Sequence, residues 1–450
     1  MSKLISIGEI TTYKKGYAFK SKDYSSEGIP IVKVSDFDDH TVSTSSTKLK
    51  QEASDGFEDW KLQKNDVLIA SVGSWATNPN SVVGKVVKVN GSLTDALLNQ
   101  NCVRLRVKEG FDQEYLFYCL KNKNFSNHCI ASAQGSANQA SIKLDDIHAF
   151  MIPNFSLKEQ QKISSLLSCL DKKIELNQEI NKTLEEIAKT LFKSWFIDFD
   201  PVKAKAEGRP TGLSKEISDL FPDSFEDSEL GEIPKGWKID KLGSHINLTK
   251  GKSYRSEELK ESDTALVTLK SFQRNGGYRE DGLKEYTGSF KDEQIVSDGD
   301  LIVAFTDVTQ AADVIGKPAI VIGNPNYSKL VISLDVGVIR VLSESMLTNA
   351  YIYFLMLSNR YASNSLRYTN GTNVLHLKKE AITEYDFCIT SNTSLLEIYN
   401  DISGNMLEKI SKNSLENITL KKLRHTLLPR LISGELQIKD AENFIEEAGI

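Results

Sequence analysis

The sequence predicts a mixed α/β chain of the α+β class, with two pseudo-symmetric globular domains separated by a pair of long antiparallel coiled-coil helices. Three observations predict it. The chain repeats itself: residues from about 7 to 196 reappear from about 242 to 432, at an offset between 232 and 236. Each copy opens with short β-branched runs separated by Gly- and Ser-rich stretches, the pattern of strands and turns. Each copy closes on a long seam of apolar residues at steps of three and four. A repeat this long is not a solenoid unit, whose period is tens of residues; it is two domains of one kind.

Residues 1–155 form the first domain. Ile29-Pro30-Ile31-Val32-Lys33-Val34, Asp66-Val67-Leu68-Ile69-Ala70 and the stretches 82–89 and 102–107 read as strands, and 113–123 as the best helix. Residues 156–200 hold the central long helix. Its seam runs Ile163, Leu167, Leu170, Ile174, Asn177, Asn181, Leu184, Ala188, Leu191 and Trp195, unbroken by Pro or Gly. At 1.5 Å per residue, 40 residues give a rod of about 60 Å. Residues 201–235, with Pro201, Gly208, Pro210, Gly212, Pro222 and Gly231, form a connector. Residues 236–390 repeat the first domain: Lys15-Gly16 maps onto Lys250-Gly251, residues 66–70 onto 300–304, Tyr115 onto Tyr351 and Gly135 onto Gly371. Residues 391–434 hold the distal long helix, with Tyr399, Ile402, Met406, Ile410, Asn413, Asn417, Leu420, Leu423 and Leu427 on its seam and Gly434 at its end. Residues 435–450 are a short acidic tail. Neither seam can leave its apolar stripe in water, and a two-fold relation between the halves runs the rods antiparallel. Asn177 then falls beside Asn417 or Asn413. Asn177, Asn181, Asn413 and Asn417 are the candidates for fixing the register of the helix pair, since a buried Asn pair specifies alignment at a cost in stability; the bland alternative is a solvated edge.

The chain has 450 residues, 40% apolar and 26% charged, enough for two cores. No run of 18 or more apolar residues exists, and residues 1–9 carry no signal-peptide pattern, so a cytoplasmic protein without membrane contact is expected. Five cysteines without a Cys-x-x-Cys pair point to a reduced protein with no structural zinc. The net charge of −6 argues against a basic nucleic-acid coat. A local basic stripe would still suffice for phosphate contacts.

Catalytic patterns are missing. There is no phosphate loop, no Gly-x-Gly-x-x-Gly after a strand, no Ser nucleophile elbow and no paired histidine site among the six histidines. Asn324-Pro325-Asn326-Tyr327 partly matches the motif with which amino-group methyltransferases grip a flipped base. It lacks a neighbouring cofactor loop and reads as a surface turn. No catalytic residue, metal or cofactor is expected in this chain.

The positive signal is basic and aromatic residues in loops. Lys14, Lys15, Tyr17, Lys20 and Lys22 cluster after a strand-like start, and Lys250, Lys252, Tyr254 and Arg255 take the equivalent place. Arg274 and Arg279 flank Gly276-Gly277. Gly135 and Ser136, with Gly371, Thr372 and Asn373 as their counterparts, offer backbone amides and short donors. Lysine and arginine satisfy phosphates, and Arg, Asn and Gln read base edges in the major groove; a lysine run is otherwise only a solvated face. The two frames agree while their loops differ: 71–80 does not resemble 305–313. A shared scaffold with unlike loops fits two readers of different sequences, and a two-fold chain suits a two-part DNA target.

Four phrases carry a family resemblance. Leu230-Gly231-Glu232-Ile233-Pro234-Lys235-Gly236-Trp237, the stretch from Phe192-Lys193-Ser194-Trp195 to Asp200-Pro201-Val202-Lys203, Leu157-Lys158-Glu159-Gln160-Gln161-Lys162-Ile163 after Ile152-Pro153, and Leu428-Pro429-Arg430-Leu431-Ile432-Ser433-Gly434-Glu435-Leu436 resemble the specificity subunit of type I restriction–modification enzymes. The likeness covers nearly the whole chain. It implies that each globular domain is a target-recognition domain for one half of a bipartite double-stranded DNA site. It implies that the helices set the spacer and dock two modification (methyltransferase) subunits, which bind S-adenosylmethionine, and that a restriction (motor–nuclease) subunit completes a phage-defence complex. One departure is Asp386-Phe387-Cys388-Ile389-Thr390, which lacks the Ile-Pro and Glu-Gln-Gln that precede the central helix. Two other classes stand beside this reading: a methyltransferase fused to a reader, which would need the missing cofactor loop, and a coiled-coil scaffold that binds only proteins.

Overall fold

The structure, a computed structural model, describes residues 3–43, 45–75, 82–136, 139–309 and 311–447. The first loop named above as differing between the halves, 71–80, therefore lies partly outside the described residues. The chain divides into two compact units, Met1–Ile174 with Thr419–Ile450, and Glu175–Ile418. Each long helix is shared between the units rather than standing apart as a spacer domain.

In the first unit, strand Thr11–Lys15 pairs antiparallel with Cys102–Val107, which pairs with Val67–Ala70, which pairs with Val86–Lys88. A second sheet runs in the order Tyr24–Ser25, Lys48–Leu49, Ile29–Val32, Leu97–Leu98, its last pair parallel. The second unit repeats the first sheet with Ile246–Lys250, Val336–Val341, Leu301–Ala304 and Pro318–Ile320. It repeats the core of the second with Lys284–Glu285, Thr264–Val267 and Lys329–Ile332, again with one parallel pair. The β-branched runs sit where their side chains are buried: Val67, Leu68, Ile69 and Ala70 are fully enclosed, as are Leu301, Ile302, Val303 and Ala304. Gly16 and Gly251 recur for a steric reason. A Cβ would stand 1.8 Å from the Asn99 carbonyl oxygen in one and 2.2 Å from the Ile332 oxygen in the other.

A charge clamp also recurs. Arg106 Nε lies 2.5 Å from Asp66 Oδ1, and Arg340 Nη1 3.5 Å from Asp300 Oδ2. Each aspartate also accepts the backbone N–H three residues before it, from Gln63 at 2.7 Å and Ser297 at 2.9 Å, closing the turn into its strand.

Helix Leu157–Phe192 begins in a capping box. The Ser156 hydroxyl accepts the Glu159 N–H at 3.3 Å while the Glu159 carboxylate accepts the Ser156 N–H at 3.0 Å. A π turn, Lys193–Ile197, ends it, and Phe199 in the left-handed region starts helix Asp200–Ala206 with Pro201 in its first turn. The connector then forms a hairpin, Phe225–Ser228 with Gly231–Pro234. Helix Thr393–Ser433 starts from Asn392, whose side-chain oxygen accepts the Ser394 N–H at 3.1 Å, and stops at Gly434 in the left-handed region. The stretch 113–123 is broken: helices Gln113–Lys121 and Lys123–Ser132 meet at Asn122, which caps the second. The acidic tail holds a helix, Ile438–Glu447, whose Ala441 is buried in the first core.

The asparagines meet within the second unit. Asn177 Nδ2 donates to Asn417 Oδ1 at 3.1 Å and to Glu416 Oε2 at 2.7 Å. Asn413 Nδ2 donates to Asn181 Oδ1 at 2.8 Å, and Asn181 Nδ2 to Ser414 Oγ at 3.1 Å. Rising numbers on one helix face falling numbers on the other, so this stretch is antiparallel. Asn177 is the repeat of Asn413 and Asn181 of Asn417, so the two amide contacts are copies of each other. Asn177, Asn413 and Asn417 are buried, and each pairing satisfies groups that would otherwise be desolvated without a partner.

Candidate nucleic-acid interface

Sheet register brings some of the candidate residues to one end of each four-stranded sheet. In the first unit Lys15 faces Val103 and Ala70 faces Cys102. The loop leaving Lys15 and the chain leaving Ala70 therefore emerge together. The latter continues as Val72–Gly73, which pairs with hairpin Gln134–Ser136/Gln139–Ser141. In the second unit Lys250 faces Gly337 and Ala304 faces Val336; the chain runs on into Thr306–Asp307, paired with Leu375–Leu377, itself paired with Thr369–Asn370. Gly371 turns the second hairpin, and Gly135 lies in strand Gln134–Ser136 of the first. A Cβ on either would stand 2.0 Å from a carbonyl oxygen, of Gln139 and of Val374 respectively.

The first end is basic and aromatic. Tyr17, Phe19, Phe57 and Trp60 pack as one cluster, with centroids 4.8 Å apart for the tilted Tyr17–Phe57 pair and 5.2 Å for the edge-to-face Tyr17–Trp60 pair. The Trp60 indole donates to the Lys15 carbonyl at 3.0 Å. Lys14 Nζ stands 4.2 Å over the Trp60 ring and 2.7 Å from Asp59 Oδ2; that hydrogen bond holds the Asp59 carboxyl below its ordinary range. Lys15, Tyr17, Lys20 and Lys22 are exposed. Gly135 and Ser136 are exposed too, and the Ser136 carbonyl accepts the Trp75 indole N–H at 2.7 Å.

In the second unit Lys250 Nζ lies 4.1 Å over the Phe305 ring. Arg274 is exposed and 3.7 Å from Asp313, which ties its turn to the loop after Thr306–Asp307. Gly371, Thr372 and Asn373 are exposed at the hairpin turn. Lys252, Tyr254, Arg255 and Arg279 belong instead to the side of the second sheet. Lys252 Nζ donates to Ser289 O at 2.8 Å, Tyr254 accepts from Lys284 at 3.3 Å, and the Arg255 N–H donates to Glu258 at 2.7 Å. Arg279 meets Asp281 through two hydrogen bonds, 3.0 and 2.6 Å, so the fork that would grip a guanine edge is taken by its own turn.

Asp307 organises the second end. Burial works against its charge, but the N–H groups of Val314, Thr309 and Ile315 and the Thr309 hydroxyl outweigh it and hold the carboxyl below its ordinary range. Exposed groups that the sequence reading missed are Arg367, Asn370, His376 and Lys378; strand alternation could have found Asn370 and His376 once the hairpin was recognised. The thiols of Cys119, Cys129 and Cys388 are pushed up to about 12 by burial, which makes them poor nucleophiles at neutral pH.

A profile of the family described as "Type I restriction modification DNA specificity domain" matches residues 2–186. The MjaIX type I restriction enzyme specificity subunit of Methanocaldococcus jannaschii is 28% identical over 367 residues, 80% of this chain and 76% of that one. The HindI specificity subunit of Haemophilus influenzae is 28% identical over 371 residues, 72% and 77% of the two chains. Residues 2–186 thus match a type I restriction–modification DNA specificity domain, and most of the chain is similar to type I restriction enzyme specificity subunits. The crystal structure of the S subunit from M. genitalium shares its fold, with a TM-score of 0.54 at 16% identity over 96% of both chains. The description of the matched region is that of a DNA specificity domain. Among the chain's described residues no helix is long and apolar enough to cross a membrane.

Proposed function

We propose that this chain is a specificity subunit, that each repeated lobe reads one half of a bipartite double-stranded DNA target, that the paired helices set the gap between the halves and dock two modification subunits, and that the assembly works in the cytoplasm. S-adenosylmethionine belongs to the modification subunits in this reading, and a restriction subunit joins them to cut unmodified DNA. The observation that carries it is the repetition of one frame under unlike ends. Both units build the same four-stranded sheet and the same three-stranded hairpin sheet beside it, while the residues displayed there differ. The asparagine contacts between the helices support a defined register, which a spacer requires. Methylome sequencing of the host with and without this gene tests it. The expected result is a lost methylation motif in two unlike parts at a constant gap. A continuous motif, or none, overturns the reading.

A further inference from the structure

The three-stranded sheets at the two reading ends carry opposite chemistry where their strands stop. In the second unit His376 pairs with both Asn370 and Thr306, so these three side chains share a face. Side chains alternate along a strand, so Asp307 and Leu375 turn to the other face; Val308 and Val374 stand just beyond that pair, outside the strands. Val308 is 69% exposed and Val374 39%. In the first unit the same face starts from Val72, Ser141 and Gln134, in register with one another, with Ser74 and Gln139 two residues farther along. At equivalent places one lobe shows two isopropyl groups and the other a hydroxyl and an amide.

Cations lie in the segments that enter and leave this small sheet. Lys250 sits over Phe305, whose carbonyl accepts the Leu377 N–H at 2.8 Å. Arg367 ends the helix that feeds strand Thr369–Asn370, and Lys378 follows Leu377; both are exposed. The neighbouring carboxylates are engaged inward, Asp307 by loop amides and Asp335 by the Thr306 hydroxyl at 2.8 Å. Exposed apolar groups at the end of a short ribbon, with cations on the adjoining segments, match a major groove, where phosphates lie outside and the thymine C5-methyl is the apolar group on the floor. A groove of that width admits a β-ribbon.

Resting on the DNA-reading assignment above, we propose that Val308 and Val374 read a thymine methyl in the half-site of the second lobe, beside hydrogen bonds from Asn370 and His376, whereas the first lobe reads through hydrogen bonds at the matching position.

The test uses the full chain assembled with its methyltransferase subunits, on its own target, with each thymine replaced in turn by deoxyuridine, which removes only the methyl. One thymine in the second half-site should lose about three- to tenfold in affinity on replacement, the worth of roughly one buried methyl or slightly more. The V308S/V374Q variant, which copies the first lobe at exposed positions, should bind the thymine target more weakly by a similar factor and no longer distinguish thymine from deoxyuridine there. Its melting curve should match the parent's. A second half-site without thymine, no position sensitive to deoxyuridine, or unchanged sensitivity in the variant overturns the proposal while the DNA-reading role stands. So does a variant that loses the methyltransferase subunits but keeps its base preference. An assembled complex with no sequence preference at all overturns both.

Discussion

The two lobes share a frame but hold their long helices by different chemistry. In the first unit the contact is ionic. Arg424 of the distal helix donates to Asp171 of the central helix at 2.6 Å, Asp171 accepts the Tyr118 hydroxyl at 2.7 Å, and Asp39, 3.9 Å from Arg424, accepts Lys121 at its carbonyl at 2.5 Å. At the repeat offset of 236, Asp171 corresponds to Leu407, Tyr118 to Phe354 and Arg424 to Ala188. The second unit therefore has apolar residues at these three positions, while the Tyr353 hydroxyl donates to Glu185 of the central helix. An aromatic cluster fills out that core, with Phe192–Tyr351 and Phe196–Tyr399 each 5.0 Å apart and Trp195–Phe221 at 5.4 Å. One architecture thus tolerates either a satisfied polar network or plain hydrophobic packing, provided that each is complete.

Breaking one partner of the ionic seat should have the largest effect. Arg424→Ala leaves the Asp171 carboxylate, only 9% exposed, without its cation, which costs about 3–5 kcal/mol. The triple variant Y118F/D171L/R424A copies the second lobe and should recover to within about 1 kcal/mol of the parent, since replacing a whole buried network by apolar groups is often neutral. Hydrogen exchange in helix Gln113–Lys121 reports the local stability. A triple variant as weak as the single one would mean that the two seats are not interchangeable.

The repeat, both long helices and the antiparallel asparagine seam were legible because each is a periodic signal summed over many residues. Periodicity left Asn177 a choice of two partners; only coordinates select Asn417. The ionic seat was not legible, because Asp171 and Arg424 look like the charged face of a coiled coil, and their burial depends on a lobe that closes over them. Lys14, Lys15 and Lys250 were legible as basic residues at aligned strand ends. Arg279 was read as a free contact because nothing in a sequence says that a carboxylate two residues away will take its fork. Val308 and Val374 were overlooked because they lie just beyond strands of two and three residues, too short for alternation to register.

The two reading ends should differ in acid. Asp307 holds its loop through amides of Thr309, Val314 and Ile315 at 2.7 to 3.1 Å, while its repeat position is Gly73. A carboxyl below its ordinary range in the folded chain stabilises fully above the unfolded value of about 3.9. That contribution fades as pH falls through the lowered folded value. Amide exchange at Val314 and Ile315 should therefore accelerate below about pH 4 by more than that at Val82 and Val83, their repeat positions. Asp307→Asn should loosen the same amides at neutral pH by about 1–3 kcal/mol. Equal acid sensitivity at both ends would assign the loop's order to something other than this carboxylate.

The finest difference is a single hydroxyl. Tyr115 and Tyr351 are repeat positions, both fully buried. Tyr115 donates to the Pro153 carbonyl at 2.9 Å, whereas the Tyr351 hydroxyl has no hydrogen-bond partner among the described residues. Removing a satisfied buried hydroxyl costs about 0.5–1.5 kcal/mol, and removing an unsatisfied one costs nothing or stabilises, since its desolvation has no compensation. Tyr115→Phe should therefore lower the stability of its unit by about 1 kcal/mol, and Tyr351→Phe should leave its unit unchanged or slightly raised. Exchange at the buried amides of helices Gln113–Lys121 and Asn349–Met356 separates the two effects within one chain. Equal losses would show that Tyr351 finds an acceptor in solution, and would make the two aromatic seats more alike than their geometry.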